Sequence, residues 1–419
     1  MQLVITEKPR ASIKIASALG NAVKRSVSGV PYYELTRDNK KIIVACAVGH
    51  LFGLAEKEKT SKYPVEELVW KQKGDFAKKY AHVLKQLAKN ADDFVIACDY
   101  DIEGEIIGYN ILRFLCNQKD AKRMKFSTLT KQELENAYKD ASTNINWGQA
   151  IAGETRHNLD FMYGVSLSRA LIQAIKKTGT YKILSIGRVQ GPALAILAEK
   201  EKAIQSFKPI PYWQMFLDIE NGVQINVAYP KNIFKKSELE EFLKLKGKTA
   251  QAETIKDEVT WQPLPPFDLT VLQTEAYRVL GLTPSQTLQV AQTLYLEGLI
   301  SYPRTSSQKL PPQINLKNII KQLNSNSTFT KLTDKLIKQN LFRPRQGKKE
   351  DVHPAIYPTG LKQKLNSDQE KLYNLITHRF LACFAEPAEL QDHKVILDAN
   401  EKYHATITEI KKIGWYEFY

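Results

Sequence analysis

The chain contains only four cysteines, Cys46, Cys98, Cys116 and Cys383, and no two of them form a C-x-x-C pair. This excludes a zinc ribbon within these residues and leaves reduced core thiols, as cytosolic proteins carry them. No apolar run approaches the roughly 18–20 residues needed to span a bilayer. The N-terminus, MQLVITEKPRAS, lacks the basic-then-apolar pattern of a secretory signal, so a cytoplasmic protein is expected. There is no G-x-x-x-x-G-K-[ST] loop, no internal repeat and no low-complexity tract. Acidic residues are in the minority, 45 against 60 lysines and arginines, for a net charge of +15. That excess suits a polyanionic partner, nucleic acid first and a membrane surface second, and carries no information about fold.

What is present reads as several domains. A chain of 419 residues exceeds one compact core, and three or four domains of about 100–200 residues are expected. Leu3-Val4-Ile5, Lys41 to Val48 and Phe94 to Cys98 read as short buried strands. Helical patterns run from Ser12 to Leu19 and from about Glu103 to Leu115. Buried strands that feed helices predict a parallel sheet, with ligands at the carboxyl ends of its strands. Trp147 to Ser206 is helical and basic, broken at Ser185 to Pro192. Tyr212 to Tyr229 alternates as an antiparallel strand pair does, and Val395 to Ile407 alternates again. Pro263-Leu264-Pro265-Pro266 marks a boundary. Thr283-Pro284-Ser285-Gln286 predicts an N-cap, an N1 proline and a capping box, opening a helix to about Leu296 that stops at Gly298. A short strand, Leu299 to Tyr302, is expected next. Residues 340–352 read as a polar, basic, mobile loop.

Asp99-Tyr100-Asp101-Ile102-Glu103-Gly104-Glu105 follows the third strand directly. Three acids at i, i+2 and i+4, leaving an apolar strand at its carboxyl end, suit a hard cation such as Mg²⁺, which takes carboxylate oxygens together with waters and phosphate. Glu7 lies just past the first strand and would face the same point if the two strands are neighbours. The plainer alternative makes these acids solvated residues at a helix N-terminus, where negative charge is favourable. The preceding strand and Gly104 favour the cation. Glu7 after a first strand, with D-x-D-x-E after a later one, resembles the TOPRIM fold. Topoisomerases, primases, some nucleases and recombination proteins share that fold, and this pattern alone leaves all of them open.

Ile300-Ser301-Tyr302-Pro303-Arg304-Thr305-Ser306-Ser307 decides among them. It resembles the active-site segment of type IA DNA topoisomerases, where a tyrosine is followed two residues later by an arginine. The chemistry accounts for the residue types. A phenol that attacks phosphorus leaves a phosphotyrosine, which retains the energy of the phosphodiester for resealing. Arg304 falls on the same side of an extended chain as Tyr302. Its guanidinium can hold phosphate oxygens in a bidentate fork and stabilise charge in the transition state. A lone Tyr-Pro-Arg is usually a surface turn, so the company matters. Arg123-Met124-Lys125-Phe126 with Leu129-Thr130-Lys131, Arg156 with Asp160, and Gly187-Arg188-Val189-Gln190 all resemble segments of the same family. So do Pro266-Phe267…Leu272-Gln273…Glu275-Ala276 and His353-Pro354-Ala355-Ile356-Tyr357-Pro358-Thr359. They stand in family order over nearly all of the chain. The Glu-Lys-Pro start and the H-P-A-I-Y-P-T form are nearer to topoisomerase III and archaeal members than to bacterial topoisomerase I.

The resemblance implies a fold class, multidomain α/β plus α and β. A TOPRIM domain over residues 1–143 holds the metal, and a helical base follows at 144–205. A β arch leaves at 206–265 and returns at 362–419, with a helical domain bearing the tyrosine at 266–361; together they form a torus. Glu7 is implied as a metal ligand or as the general acid that protonates the departing 3′ oxygen. Lys8 would contact the scissile phosphate. Asp99, Asp101 and Glu103 would hold Mg²⁺, while Glu105 orients its neighbours. His353 would hydrogen-bond a phosphate or tune Tyr302. Arg188 and Gln190 would bind backbone phosphates or buttress the site. Arg156 and Arg169 would line a groove for single-stranded DNA, and Arg123 and Thr359 would join the DNA contacts through their motifs.

The implied activity needs no ATP: one strand is cut through a 5′-phosphotyrosine, the other passes, and the cut is resealed. Its substrates would be single-stranded DNA and negatively supercoiled duplex in the nucleoid. Two departures stand out. Tyr100 and Ile102 occupy positions where the family often has proline and arginine. After Gly414-Trp415-Tyr416, the resemblance leads one to expect a returning segment and zinc domains that are not here. A truncated chain, a split enzyme completed by a second polypeptide, or a reduced member would each fit. The rival functions are a metal-dependent TOPRIM nuclease without a covalent intermediate, and a DNA-binding fragment that cannot catalyse alone.

Overall fold

The computed structural model describes residues 1–220, 224–348, 352–398 and 402–419. The chain forms two compact units, each discontinuous in sequence. The first combines Met1–Glu201, Asp268–Ser306 and Asp351–Tyr373; the second combines Lys202–Phe267, Ser307–Glu350 and Asn374–Tyr419.

The first unit opens with β1 (Gln2–Thr6), α1 (Pro9–Leu19), β2 (Val23–Val27), β3 (Val30–Arg37) and β4 (Lys40–Cys46). It continues with β5 (Phe52–Glu56), β6 (Leu68–Gln72), α2 (Asp75–Ala88), β7 (Asp93–Ile96), α3 (Ile102–Ile111), β8 (Lys122–Arg123), α4 (Lys131–Lys139) and α5 (Trp147–Lys176). Six strands make one sheet in the order β2-β3-β4-β1-β7-β8. The parallel sheet expected from the buried strands is found in β4-β1-β7-β8, while β2 and β3 extend it as an antiparallel hairpin. All of β1 is buried, as a strand covered on both faces must be. Its register sets Ile5 beside both Ala45 and Ile96. The chains leaving β1 and β7 therefore emerge side by side, which is the condition for Glu7 to meet Asp99. One face of the sheet, with Leu3, Ile5, Ile43, Phe94 and Ile96, packs on Ala81 and Leu84 of α2 and Ile107 and Ile111 of α3. The helix predicted from about Glu103 to Leu115 is α3 followed by a π-helical turn, Leu112–Cys116, which ends at Asn117 in the left-handed region.

The later segments of this unit include helices Leu269–Leu280 and Pro284–Leu296. The second carries the predicted capping box, Thr283 with Gln286, and is followed by Gly298 at φ 79°. The strand expected at Leu299 to Tyr302 is reduced to a single bridge, Ile300 opposite Pro358. Pro303 and Pro358 have no N–H to extend a ladder.

In the second unit, Phe216–Glu220 pairs with Gln224–Ala228. Gln251–Trp261, Ala388–Asp398 and Lys402–Lys412 form an antiparallel sheet. The alternation expected at Val395 to Ile407 falls on the adjoining ends of the last two strands; its residues 399–401 lie outside the described residues. Val227, Ile233, Phe242, Val395, Leu397 and Tyr403 form a core here. Residues 340–348 take neither helix nor strand; the rest of the predicted loop, up to residue 351, lies outside the described residues. Among the described residues, no helix is long and apolar enough to cross a membrane.

Candidate active site

The first unit brings the acidic turn, Glu7-Lys8 and the tyrosine segment together. Lys8 ends the turn after β1, and its ammonium ion-pairs with Asp99 and lies 3.2 Å from Glu7. Asp99 is buried, and its other oxygen accepts the Tyr295 hydroxyl at 3.0 Å. Asp101 caps α3, accepting the Gly104 N–H at 2.7 Å. Its second oxygen accepts the hydroxyl of Tyr302. Gly104 is required by close approach, because a Cβ there would lie 2.1 Å from the Asp99 carbonyl oxygen.

This crowding sets the protonation states. Burial pushes the Glu7 carboxyl up to about 7, and Asp99 adds to the rise against the pull of Lys8. Burial by itself lowers the Lys8 ammonium, but Asp99 and Glu7 outweigh it and hold Lys8 above its ordinary value. The Tyr302 phenol is held well above its ordinary value by burial and by the charges of Asp101 and Asp99. Glu7 and Asp99 thus share one ammonium, with the charge of Asp101 close enough to act on Glu7. Their oxygens are the donors a hard dication takes. The donor types suit Mg²⁺, while among the described residues the ligand atoms that lie within 4.8 Å of one another are those of His50, Glu103 and His157.

Glu105 has other partners. Its Oε2 meets Nε of Arg123 at 2.7 Å and its Oε1 accepts the Asn146 N–H at 2.7 Å, so both oxygens are engaged within the fold. Arg123 corrects an expectation. Placed among the DNA contacts by its motif, it is 1 % exposed. Besides Glu105 it donates to the carbonyls of Cys98, Asp99 and Met124, each at 2.8 Å. Its donors are engaged inside the fold, where they hold the backbone of the acidic turn. Thr359 is likewise buried, and its hydroxyl donates to the Gly298 carbonyl at 2.6 Å.

Tyr302 is itself buried. Its N–H donates to the Ser127 carbonyl at 2.7 Å, and its ring lies 4.6 Å from His353 and 5.2 Å from Tyr295 between centroids. His353 bridges Ser127 Oγ at Nδ1 and the Tyr100 carbonyl at Nε2, both at 3.0 Å. A carbonyl only accepts, so Nε2 carries a proton. His353 therefore braces Tyr302 by packing. Arg304 is exposed and lines an open cleft of about 290 Å³ together with Asp101, Glu103, Arg156 and His353. It makes no ion pair among the described residues.

The remaining basic residues divide. Arg156 is exposed, 3.3 Å from Glu103 and 3.7 Å from Asp160. Arg188 pairs with Asp160 at 2.6 Å, and Gln190 is exposed at the start of α6 (Gln190–Ser206). Arg169, expected at a DNA groove, instead forms a two-pronged pair with Glu56 at 2.7 and 2.6 Å and bonds the Lys62 carbonyl. It ties α5 to β5. Three residues at the site escaped the sequence: Tyr295, His50 and His157. The two histidines flank Glu103 at 2.9 and 3.0 Å.

Residues 144–419 match the family model described as DNA topoisomerase, and residues 2–129 match the Toprim domain. DNA topoisomerase 1 of Pyrococcus horikoshii is 45% identical over 439 aligned positions, covering 100% of this chain and 64% of that protein. DNA topoisomerase 1 of Methanocaldococcus jannaschii is 44% identical, covering 100% of this chain and 56% of that protein. The solved structure of full-length topoisomerase I from Thermotoga maritima superposes with a TM-score of 0.75 at 25% identity, over 99% of this chain and 67% of that one. The chain belongs to the type IA DNA topoisomerase family, with a Toprim domain at its N-terminus. It spans roughly three fifths of the length of the two archaeal relatives.

Proposed function

We propose that this chain cuts and reseals one DNA strand through Tyr302, without ATP. The observation that carries the proposal is the Tyr302 hydroxyl seated on Asp101, inside the cluster that also contains Glu7, Lys8 and Asp99. Tyr302 Oη attacks phosphorus, its proton passing toward the Asp101 carboxylate, and the bond from phosphorus to the 3′ oxygen breaks. Glu7, with its carboxyl pushed up to about 7, exchanges a proton near neutral pH and can deliver it to the departing 3′ oxygen. That is the property a general acid needs. Lys8 and Arg304 hold the phosphate oxygens, and resealing runs the same steps backwards. Asp99, Asp101 and Glu103, with Glu7 beside them, would hold Mg²⁺, which would supply positive charge to offset that of the phosphate. Arg156, Arg188 and Gln190 bind the strand backbone. Tyr302 is buried, so the strand reaches it only when the segment around it lifts, which is also what strand passage requires. The substrates are single-stranded DNA and negatively supercoiled duplex, in the cytoplasm at the nucleoid.

A second reading adds a partner. Helix α6 has no buried residue and exposes Leu194, Ile196, Leu197 and Ile204. Exposed apolar patches of this kind mark contact surfaces, and a further polypeptide covering it would complete the enzyme. Incubation with Mg²⁺ and negatively supercoiled plasmid, without nucleotide, tests both. Relaxed topoisomers are expected from a competent chain. Binding without relaxation favours the need for a partner. Cutting that survives Tyr302→Phe would mark a metal-dependent nuclease instead.

A further inference from the structure

Glu103 stands apart from the rest of the acidic turn. Its Oε2 meets Nε2 of His50 at 2.9 Å and Nε2 of His157 at 3.0 Å, and the two imidazole centroids are 4.9 Å apart. The loop after β4, the first turn of α3 and the middle of α5 each turn one ligand atom to a common point. These atoms all lie within 4.8 Å of one another. In a tetrahedral site with arms of about 2.0–2.1 Å, donor atoms stand about 3.4 Å apart, so small side-chain rotations would close the set.

The backbone that delivers His50 is itself unusual. Val48 has φ 54° and Gly49 φ 80°. A β-branched residue in the left-handed region is a true outlier, and strain of this kind gathers where side chains must be aimed. The Gly49 N–H is held by the Glu7 carbonyl at 3.0 Å, which ties this turn to the active-site loop. The second oxygen of Glu103 faces Arg156 at 3.3 Å, leaving Oε2 to the histidines.

We propose that His50, Glu103 and His157 form a site for a transition-metal dication of the Zn²⁺ class, and that this ion competes with Mg²⁺ for Glu103. Imidazole suits Zn²⁺ and Co²⁺, whereas Mg²⁺ takes oxygen donors. Two histidines and one glutamate, with a solvent molecule in the fourth position, is a ligand set used by open zinc sites. Each imidazole binds through the Nε2 lone pair as a neutral ring, so any proton it holds there leaves to Nδ1 or to solvent as the metal enters. With Oε1 turned to Arg156, Glu103 offers one free oxygen, and a Zn²⁺ ion on Oε2 withdraws it from Mg²⁺. Occupancy therefore inhibits strand cutting, a consequence that rests on the function proposed above.

The test begins with binding, which does not depend on that function. Metal-free protein is titrated with Co²⁺ and then with Zn²⁺. The expected result is the intense visible band of four- or five-coordinate Co²⁺ at one equivalent, displaced by Zn²⁺. His157→Asn, at a partly exposed position of α5, should weaken Zn²⁺ binding at least tenfold, and His50→Ala/His157→Ala should abolish the band. Circular dichroism melting confirms that each variant is folded. A weak octahedral-type Co²⁺ spectrum, or Zn²⁺ affinity unchanged in His157→Asn, overturns the site. Zn²⁺ is then titrated into Mg²⁺-dependent oligonucleotide cutting. The inhibition midpoint should rise at least tenfold in His157→Asn, and an unchanged midpoint overturns the competition. Failure of the wild type to cut at all would count against the proposed function, while the Co²⁺ titration still decides the site.

Discussion

The two ends of the acidic turn are built in opposite ways. At its start, Asp99 and Asp101 are drawn inward and tied to Lys8, Tyr295 and Tyr302. Two positions further on, Glu103 is about a third exposed and set among His50, His157 and Arg156. At the start of the turn burial, with the charge of Asp99 added, raises the neighbouring Glu7 carboxyl to about 7. At the far end, hydrogen bonds from His157 and His50 hold the Glu103 carboxyl well below its ordinary value. Acids spaced alike in sequence thus acquire different chemistry from neighbours that arrive from distant parts of the chain. A proton donor belongs where carboxyls are crowded and dry, and a permanent anion where hydrogen-bond donors surround it.

The comparison can be broken most severely from beneath. Arg123→Ala leaves Glu105 buried without its cation and three carbonyls without their donor. It should cost about 3–5 kcal/mol in urea unfolding and abolish cutting by releasing the turn. If Arg123 were a DNA contact instead, stability would be unchanged and only affinity would fall.

A pH profile reads the start of the turn alone. The folded state holds the Glu7 proton more tightly than the unfolded chain does. This group's contribution is therefore most favourable below about pH 4.5 and declines as pH rises to about 7, by on the order of 3 kcal/mol. Above that the decline is complete. In Glu7→Gln the decline between pH 5 and 8 should be smaller, measured in the absence of divalent metal. Equal slopes in the two proteins would show that Glu7 is not raised.

Tyr295→Phe strips one hydrogen bond from buried Asp99 and should cost about 1–2 kcal/mol. Glu103→Gln, at the open end, should cost less than about 1 kcal/mol. If these two reverse in order, the contrast between the ends is wrong.

Much of this site could be read from the chain before the structure. The acids after β7, Glu7 after β1, and Tyr302 with Arg304 announced themselves because each motif is local, with residue types that chemistry requires in a short span. The neighbour relation between β1 and β7 was conditional in the sequence, since pairing of strands some 90 residues apart leaves no local trace. Tyr295 was invisible for the same reason. An aromatic on a helix is ordinarily core, and its contact with Asp99 spans 196 positions. His50 and His157 lie 53 and 54 positions from Glu103 on either side. Arg123 misled because arginine is rarely buried, and its partner Glu105 hid among acids that looked alike. The short strand at Leu299 to Tyr302 failed where flanking prolines removed ladder donors.

The most direct test of the central claim is to trap the covalent link. The chain is incubated with Mg²⁺ and 5′- or 3′-labelled single-stranded oligonucleotides, denatured, and resolved beside Tyr302→Phe. The account predicts an adduct that carries the DNA 5′ end and disappears in Tyr302→Phe, a variant that stays folded because it loses only one hydroxyl. An adduct or cut product that persists in Tyr302→Phe would contradict it.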